Sequence, residues 1–110
     1  MNVLIYIPHS TGIEYKNLLL LSLELSRTAK VTILTFDKAM LTHASILNSE
    51  INVIHKNHSH DVSSKVGRIR FWFFVKNISV DFEQYDVLVL NHDCTIEGFT
   101  FSKKTPSFVL

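Results

Sequence analysis

The feature that most constrains the fold is an alternation of short apolar segments with longer segments of helical length. The apolar segments are mostly β-branched residues or leucine with polar flanks, a pattern typical of buried strands. They are Val3 to Ile7, Val31 to Phe36, Ile51 to Ile54 and Val87 to Leu90, with a fifth strand expected over Ser107 to Leu110. The intervening segments, 12–28, 38–48 and 62–79, suit crossover helices and favour parallel pairing. The sequence predicts an α/β fold: a three-layer α/β/α Rossmann-like domain with a mostly parallel sheet of about five strands.

Length and composition limit the classes of protein to which the chain can belong. Its 110 residues amount to a single domain, 1–110, with one core, and 46% hydrophobic residues predict an ordered chain. A formal net charge of +1 argues against specific nucleic-acid binding. The single cysteine excludes an intramolecular disulfide, and no charged leader precedes the first apolar segment. We therefore expect a cytoplasmic protein.

The turn after the first apolar segment carries the first candidate binding residue, Gly12. The sequence Thr11-Gly12-Ile13-Glu14 has the spacing of a capping box at the start of a helix. Free N–H groups at a helix start attract anions, and a glycine there lets a phosphate or carboxylate approach the backbone. The turn either binds an anion through Gly12 or only caps the helix. The Glu14 carboxylate argues against a bound anion, because its own negative charge would compete at the same place.

The predicted first helix is unusually rich in leucine. At 100° per residue its leucines surround most of the helix, so we expect one group to face the sheet and the other to face solvent or a partner. The two predicted groups are Leu18, Leu21 and Leu25, and Leu19, Leu20 and Leu23. This pattern predicts self-association, because exposed leucines favour burial against a second surface.

Two polar segments after predicted strands have both a functional and an ordinary interpretation. Asp37 lies where dinucleotide-binding folds place an acid on the ribose, but it is also a preferred helix cap. His55, His58 and His60 with Asp61 have side chains that suit zinc or nickel, but their spacing has no fixed template. We expect Asp37 to cap the next helix and the histidine segment to be a polar loop, without a bound metal or cofactor.

The segment Asn91-His92-Asp93-Cys94 follows the fourth predicted strand. Ligands in α/β sheets bind at the carboxyl ends of the strands, so this segment is a candidate site. His92 is the candidate catalytic residue, as a general base or a hydrogen-bonding partner of a substrate hydroxyl. We expect Cys94 to pack in the interior, although a thiol can also act as a nucleophile.

A basic stripe lies on the predicted third helix. Lys65, Arg68, Trp72 and Lys76 fall on one side, and we expect the apolar positions, such as Val66, Phe73 and Val75, on the other. Basic residues with an indole suit peripheral contact with an anionic membrane surface, and the other interpretation is a solvated helix face.

Four segments together resemble a known family. They are VLIYIP, TGIEYKNLLLLSLELSRTAKVTILT, YDVLVLNHD and TPSFVL. Their order is similar to that of the amino-terminal, acceptor-side domain of GT-B glycosyltransferases, particularly the large retaining glycosyltransferase family 4. The resemblance covers essentially the whole chain and implies a Rossmann-like fold with Gly12 at the first turn and His92 near the cleft.

Differences between this chain and the family limit the activity that the resemblance implies. Where the family has paired glycines, this chain has Thr11-Gly12. The family's catalytic histidine would lie beyond Leu110. Most donor contacts in the family come from a carboxy-terminal domain. The resemblance therefore implies part of a transferase that acts on a nucleotide sugar and an acceptor only when joined to a donor-binding domain. The alternatives are a non-enzymatic module that docks through the leucine-rich helix and a small nucleotide-binding regulator.

Overall fold

The computed structural model describes residues 1–9, 14–47, 50–58, 61, 63–94, 97, 100–101 and 105–110, with the backbone alone for residues 14 and 44–47. Strands and helices alternate along the chain, as the sequence predicts. Their bounds are β1 Asn2–Tyr6, α1 Glu14–Leu25, β2 Lys30–Thr35, α2 Ala39–Leu47, β3 Asn52–His55, α3 Lys65–Lys76, β4 Val87–Leu90 and β5 Ser107–Val109. Two 3₁₀ turns, Phe82–Gln84 and His92–Cys94, flank β4.

Within the described residues, five strands form one parallel sheet in the order β3-β2-β1-β4-β5. The central strand is β1, where Val3 lies opposite Val31 of β2 on one side and Val87 of β4 on the other. A hydrogen bond of 2.7 Å from the Asn2 backbone N–H to the Asp86 carboxylate joins the amino ends of β1 and β4. The predicted α/β class and parallel sheet are confirmed.

The two faces of the sheet carry separate halves of the core. Because side chains alternate along a strand, β1 directs Ile5 to one face and Leu4 and Tyr6 to the other. The first face packs against α1 and α2, while the second packs against α3. This arrangement gives the three layers predicted from the sequence, since a sheet with two apolar faces needs helices on both.

Local capping makes α1 and α3 shorter than their predicted segments. Ser64 stands before α3, and its hydroxyl accepts a 3.0 Å hydrogen bond from the Gly67 N–H, as an N-cap does. At the other end, Asn77 donates to the Phe73 carbonyl through both its backbone and side-chain nitrogens. The last turn of α1 closes when the Ala29 N–H donates to the Leu25 carbonyl.

The predicted division of the α1 leucines is wrong in one respect. Leu18 and Leu19 are both buried against the sheet, on either side of the buried Ser22. An inward arc of about 100° holds all three positions, so two adjacent residues can share the inner face. The Ser22 hydroxyl donates a 2.7 Å hydrogen bond to the Leu18 carbonyl, which satisfies it inside the helix. Leu20 is exposed, with 60% of its surface accessible.

Candidate functional site

The candidate site is a cavity at the carboxyl ends of β1 and β4. From β1 the chain moves outward to β2 and β3 and then crosses to β4 on the opposite side of β1. The crevice at such a reversal is where open α/β sheets bind ligands. A cavity of about 170 Å³ lies there. It is lined mainly by two turns and the start of α1, including Pro8, His9, Tyr15, Asn91, Asp93 and Cys94.

The turn after β4 is built by a short polar side chain. The Asn91 carboxamide oxygen accepts a 2.7 Å hydrogen bond from the Asp93 N–H, while the Asn91 carbonyl accepts one of 3.0 Å from the Cys94 N–H. An asparagine that bonds the backbone two residues later closes a tight turn. The turn leaves His92 and Asp93 exposed and buries Cys94.

His92, the predicted catalytic residue, lies on this turn beside the cavity but is not among the residues that line it. Its Nε2 is 3.1 Å from the Asp93 Oδ1, with both side chains largely exposed. A carboxylate at that distance can accept a hydrogen bond from the imidazole and so orient its ring. The catalytic role of His92 stays a prediction.

Cys94 packs in the interior, as expected from the sequence. Burial, with further contributions from Glu97 and Asp93, raises the pKa of its thiol to about 12. A thiol with this pKa is protonated at neutral pH, whereas nucleophilic cysteines are thiolates with lowered pKa values. The structure therefore disfavours Cys94 as a nucleophile.

Tyr6 is a feature of this edge that sequence reasoning missed. Its ring is fully buried and meets the edges of Phe36 and Phe101, with ring centroids 5.7 Å and 5.1 Å away. Among the described residues its hydroxyl has no hydrogen-bond partner. Burial raises the pKa of this phenol, so it stays neutral. A tyrosine within an otherwise aliphatic strand was the available signal.

Gly12, the predicted anion-binding residue, lies outside the described residues. His9, three residues before it, and Tyr15, three residues after it, both line the cavity. Its predicted role therefore stays a prediction.

Two larger cavities lie at the opposite edge of the sheet. Their volumes are about 260 Å³ and 430 Å³, and both are lined by Asn2 and Lys30 at the amino ends of β1 and β2. Ligand sites of open α/β sheets lie at the carboxyl ends, so size alone does not make these cavities the better candidates.

The other predicted polar segments have structural roles. The Asp37 carboxylate accepts a 3.0 Å hydrogen bond from the Ala39 N–H at the start of α2, as a helix cap does. The His58 ring lies 5.0–5.4 Å from the rings of Phe36, Phe71 and Phe74. His60 lies outside the described residues. Within the described ranges, no three His, Cys, Asp or Glu side chains are grouped so that they could hold a metal ion.

The basic stripe of α3 is placed differently from the prediction. Val75 is buried, but Val66 and Phe73, expected opposite the basic residues, are exposed. Trp72 is partly exposed, with 39% of its surface accessible. The inner side of α3 is formed by Gly67 and Val75 with the half-buried Phe71 and Phe74, since only this arc meets the sheet.

Of the helices in the described part of the chain, none combines the length and apolar character needed to cross a lipid bilayer.

No protein-family model matches the chain, and no curated protein matches it. Its function must therefore be argued from the fold and from the residues at the carboxyl edge of the sheet.

Proposed function

We propose that the chain is the acceptor-side domain of a GT-B glycosyltransferase, which moves a sugar from a nucleotide-sugar donor to an acceptor in the cytoplasm. The observation that carries the proposal is the cavity at the carboxyl ends of β1 and β4, which the polar residues His9, Asn91 and Asp93 help to line. The resemblance of the strand and helix segments supports it. Catalysis in this proposal requires a donor-binding domain, so the 110-residue chain is inactive alone.

The size of the cavity supports a role as one wall of a larger cleft. Pockets that enclose a small molecule have volumes of about 300–1,000 Å³. At about 170 Å³, this cavity holds only part of a sugar acceptor. A cleft closed by a second domain provides the missing wall and excludes water from the reacting atoms.

The exposed residues of the two turns suit recognition of hydroxyl groups. His9 and Asp93 line the cavity, and Asp93 pairs with His92. A carboxylate accepts a hydrogen bond from an acceptor hydroxyl, and an imidazole beside it accepts the proton as that hydroxyl attacks. In this proposal His92 reaches the acceptor above the cavity, with Asp93 fixing its ring.

Nuclear magnetic resonance of the ¹⁵N-labelled chain tests the proposal directly. Methyl glycosides of common hexoses should shift the amide signals of Ile7, His9, Asn91 and Asp93. UDP and GDP should shift them less, because the donor contacts belong to the other domain. Shifts confined to the amino edge of the sheet would contradict the proposed site.

Matched variants and an activity assay complete the test. His9→Ala should weaken glycoside binding, whereas His55→Ala should not, because β3 lies two strands away, about 10 Å from β1. The isolated chain should not hydrolyse or transfer a sugar nucleotide above background. Turnover that is lost in His92→Ala would show that a second domain is unnecessary.

The alternative function is a non-enzymatic module that docks through α1. Of the leucines described in that helix, only Leu20 is exposed, so the apolar surface available there is small. A binding partner lost in a Leu20→Gln variant, together with the absence of glycoside binding, would favour this alternative.

A further inference from the structure

The outer face of α3 carries an exposed apolar strip. Val66, Ile69 and Phe73 have 59%, 58% and 58% of their surfaces exposed. They are spaced i, i+3 and i+7, so they form one continuous row along the helix. Trp72 extends the row on one side. The helix has 12 residues and is therefore about 18 Å long, enough to present the row as a flat surface.

The orientation of this face is fixed by packing on the other side of the helix. Val75 is completely buried, and Phe71 and Phe74 pack near the Phe36 ring, with ring centroids 5.8 Å and 5.3 Å away. Rotating α3 to hide Phe73 would withdraw these residues from the core. The apolar strip therefore faces outward because the opposite arc is more strongly anchored.

The charges of α3 are all of one sign. Lys65, Arg68, Arg70 and Lys76 are exposed, and the helix contains no acidic residue. They contribute four positive charges to a chain whose formal net charge is only +1. None of the four forms an ion pair with a described residue. The apolar strip is therefore bordered on both sides by cations that pair with no acidic side chain in the described part of the chain.

Acidic residues lie near both ends of this helix. Asp61 is at its amino end, where the Ser64 hydroxyl donates a 3.2 Å hydrogen bond to the Asp61 carbonyl. Lys76 lines a cavity together with Asp81 and Glu83. Arg68 and Arg70 lie in the middle of α3, between these two ends.

We propose that the outer face of α3 docks on the surface of an anionic phospholipid bilayer. Helices that lie in the membrane interface combine a Trp- or Phe-containing apolar face with Lys and Arg at its borders. The long basic side chains reach the phosphate head groups while the apolar row enters the boundary of the acyl chains. Charge complementarity favours this occupant, since no acid on α3 would repel lipid phosphates. The inference is independent of the proposed glycosyl transfer.

Vesicle binding by the 110-residue chain tests this proposal. Trp72 is the only tryptophan, so its fluorescence reports on this face alone. With vesicles of phosphatidylcholine containing about 30 mol % phosphatidylglycerol, the emission should shift to the blue and the protein should sediment with the vesicles. Binding should fall at least about tenfold without the anionic lipid, and again when NaCl is raised from about 0.1 M to 0.5 M.

Variants separate the apolar and charged contributions. Ile69→Gln should weaken vesicle binding about tenfold, and Leu20→Gln, an equally exposed apolar position on α1, should leave it unchanged. Arg68→Gln with Arg70→Gln should remove most of the dependence on anionic lipid. Lys38→Gln, at an exposed position just before α2 on the other side of the sheet, should not. Circular dichroism confirms that each variant is folded.

Three results would overturn the proposal. Equal partitioning to neutral and anionic vesicles would exclude electrostatic docking. Binding unaffected by Ile69→Gln would exclude this face. A dimer that dissociates in the Phe73→Gln variant, with no vesicle binding by the wild-type chain, would assign the face to contact between two copies.

Discussion

Replacing Gly67 with alanine should destabilise the protein, although the same change inside most helices is stabilising. Gly67 is the third residue of α3 and is buried under the segment that enters the helix. A Cβ atom placed there would lie 2.5 Å from the Asp61 carbonyl carbon and 2.8 Å from the Ser64 Oγ, and it would overlap the Asp61 carbonyl oxygen. Two of these contacts are with backbone, which cannot rotate away as a flexible side chain can.

The expected magnitude follows from opposing contributions. Alanine favours a helix interior over glycine by about 1 kcal/mol. Against this, overpacking costs about 1–3 kcal/mol, and moving the segment away from Gly67 also breaks the Ser64 cap, a further loss of about 1 kcal/mol. The free energy of unfolding should fall by about 1–3 kcal/mol. For a domain of this size, the midpoint of thermal unfolding should fall by about 5–15 °C.

Urea unfolding followed by circular dichroism measures the change. Val66→Ala, at the adjacent exposed position, is the matched control and should alter stability by less than about 0.5 kcal/mol. In a double-mutant cycle, Ser64→Ala should reduce the additional cost of Gly67→Ala, because the displaced cap is already lost. A Gly67→Ala variant as stable as the wild type would show that the segment from Asp61 does not press on α3.

Three further predictions concern single side chains. At pH 8, Cys94 should react with a thiol reagent on the order of 10³ times more slowly than a free cysteine, because its pKa is raised to about 12; labelling of the native protein at the rate of glutathione would contradict this. Thr105→Val should lower the free energy of unfolding by about 0.5–1.5 kcal/mol, measured by urea titration, because the Thr105 hydroxyl donates a 2.8 Å hydrogen bond to the Phe82 carbonyl; no loss would mean that this bond contributes nothing. Sedimentation should detect dimers of the wild-type chain at micromolar concentration and fewer dimers of Leu20→Gln, and a monomer at every concentration would refute self-association through α1.

The carboxyl edge of the sheet was predictable only in part. The sequence placed Asn91-His92-Asp93-Cys94 after a strand, and the structure places this turn beside the cavity. The contribution of His9 was not foreseen, because β1 and β4 are adjacent only after the sheet has formed. The pairing of β1 with β4 cannot be read from local sequence, because residues at the paired ends of these strands are more than 80 positions apart.

What the sequence by itself determined is the order and type of the elements and the parallel sheet. Those properties depend on periodicity and on segment length, which neighbouring residues fix locally. The tertiary structure alone decided which arc of each helix is buried. Leu19 is hidden and Phe73 is exposed because a sheet covers a limited arc of each helix, and the rotation that buries most apolar surface leaves some large side chains outside.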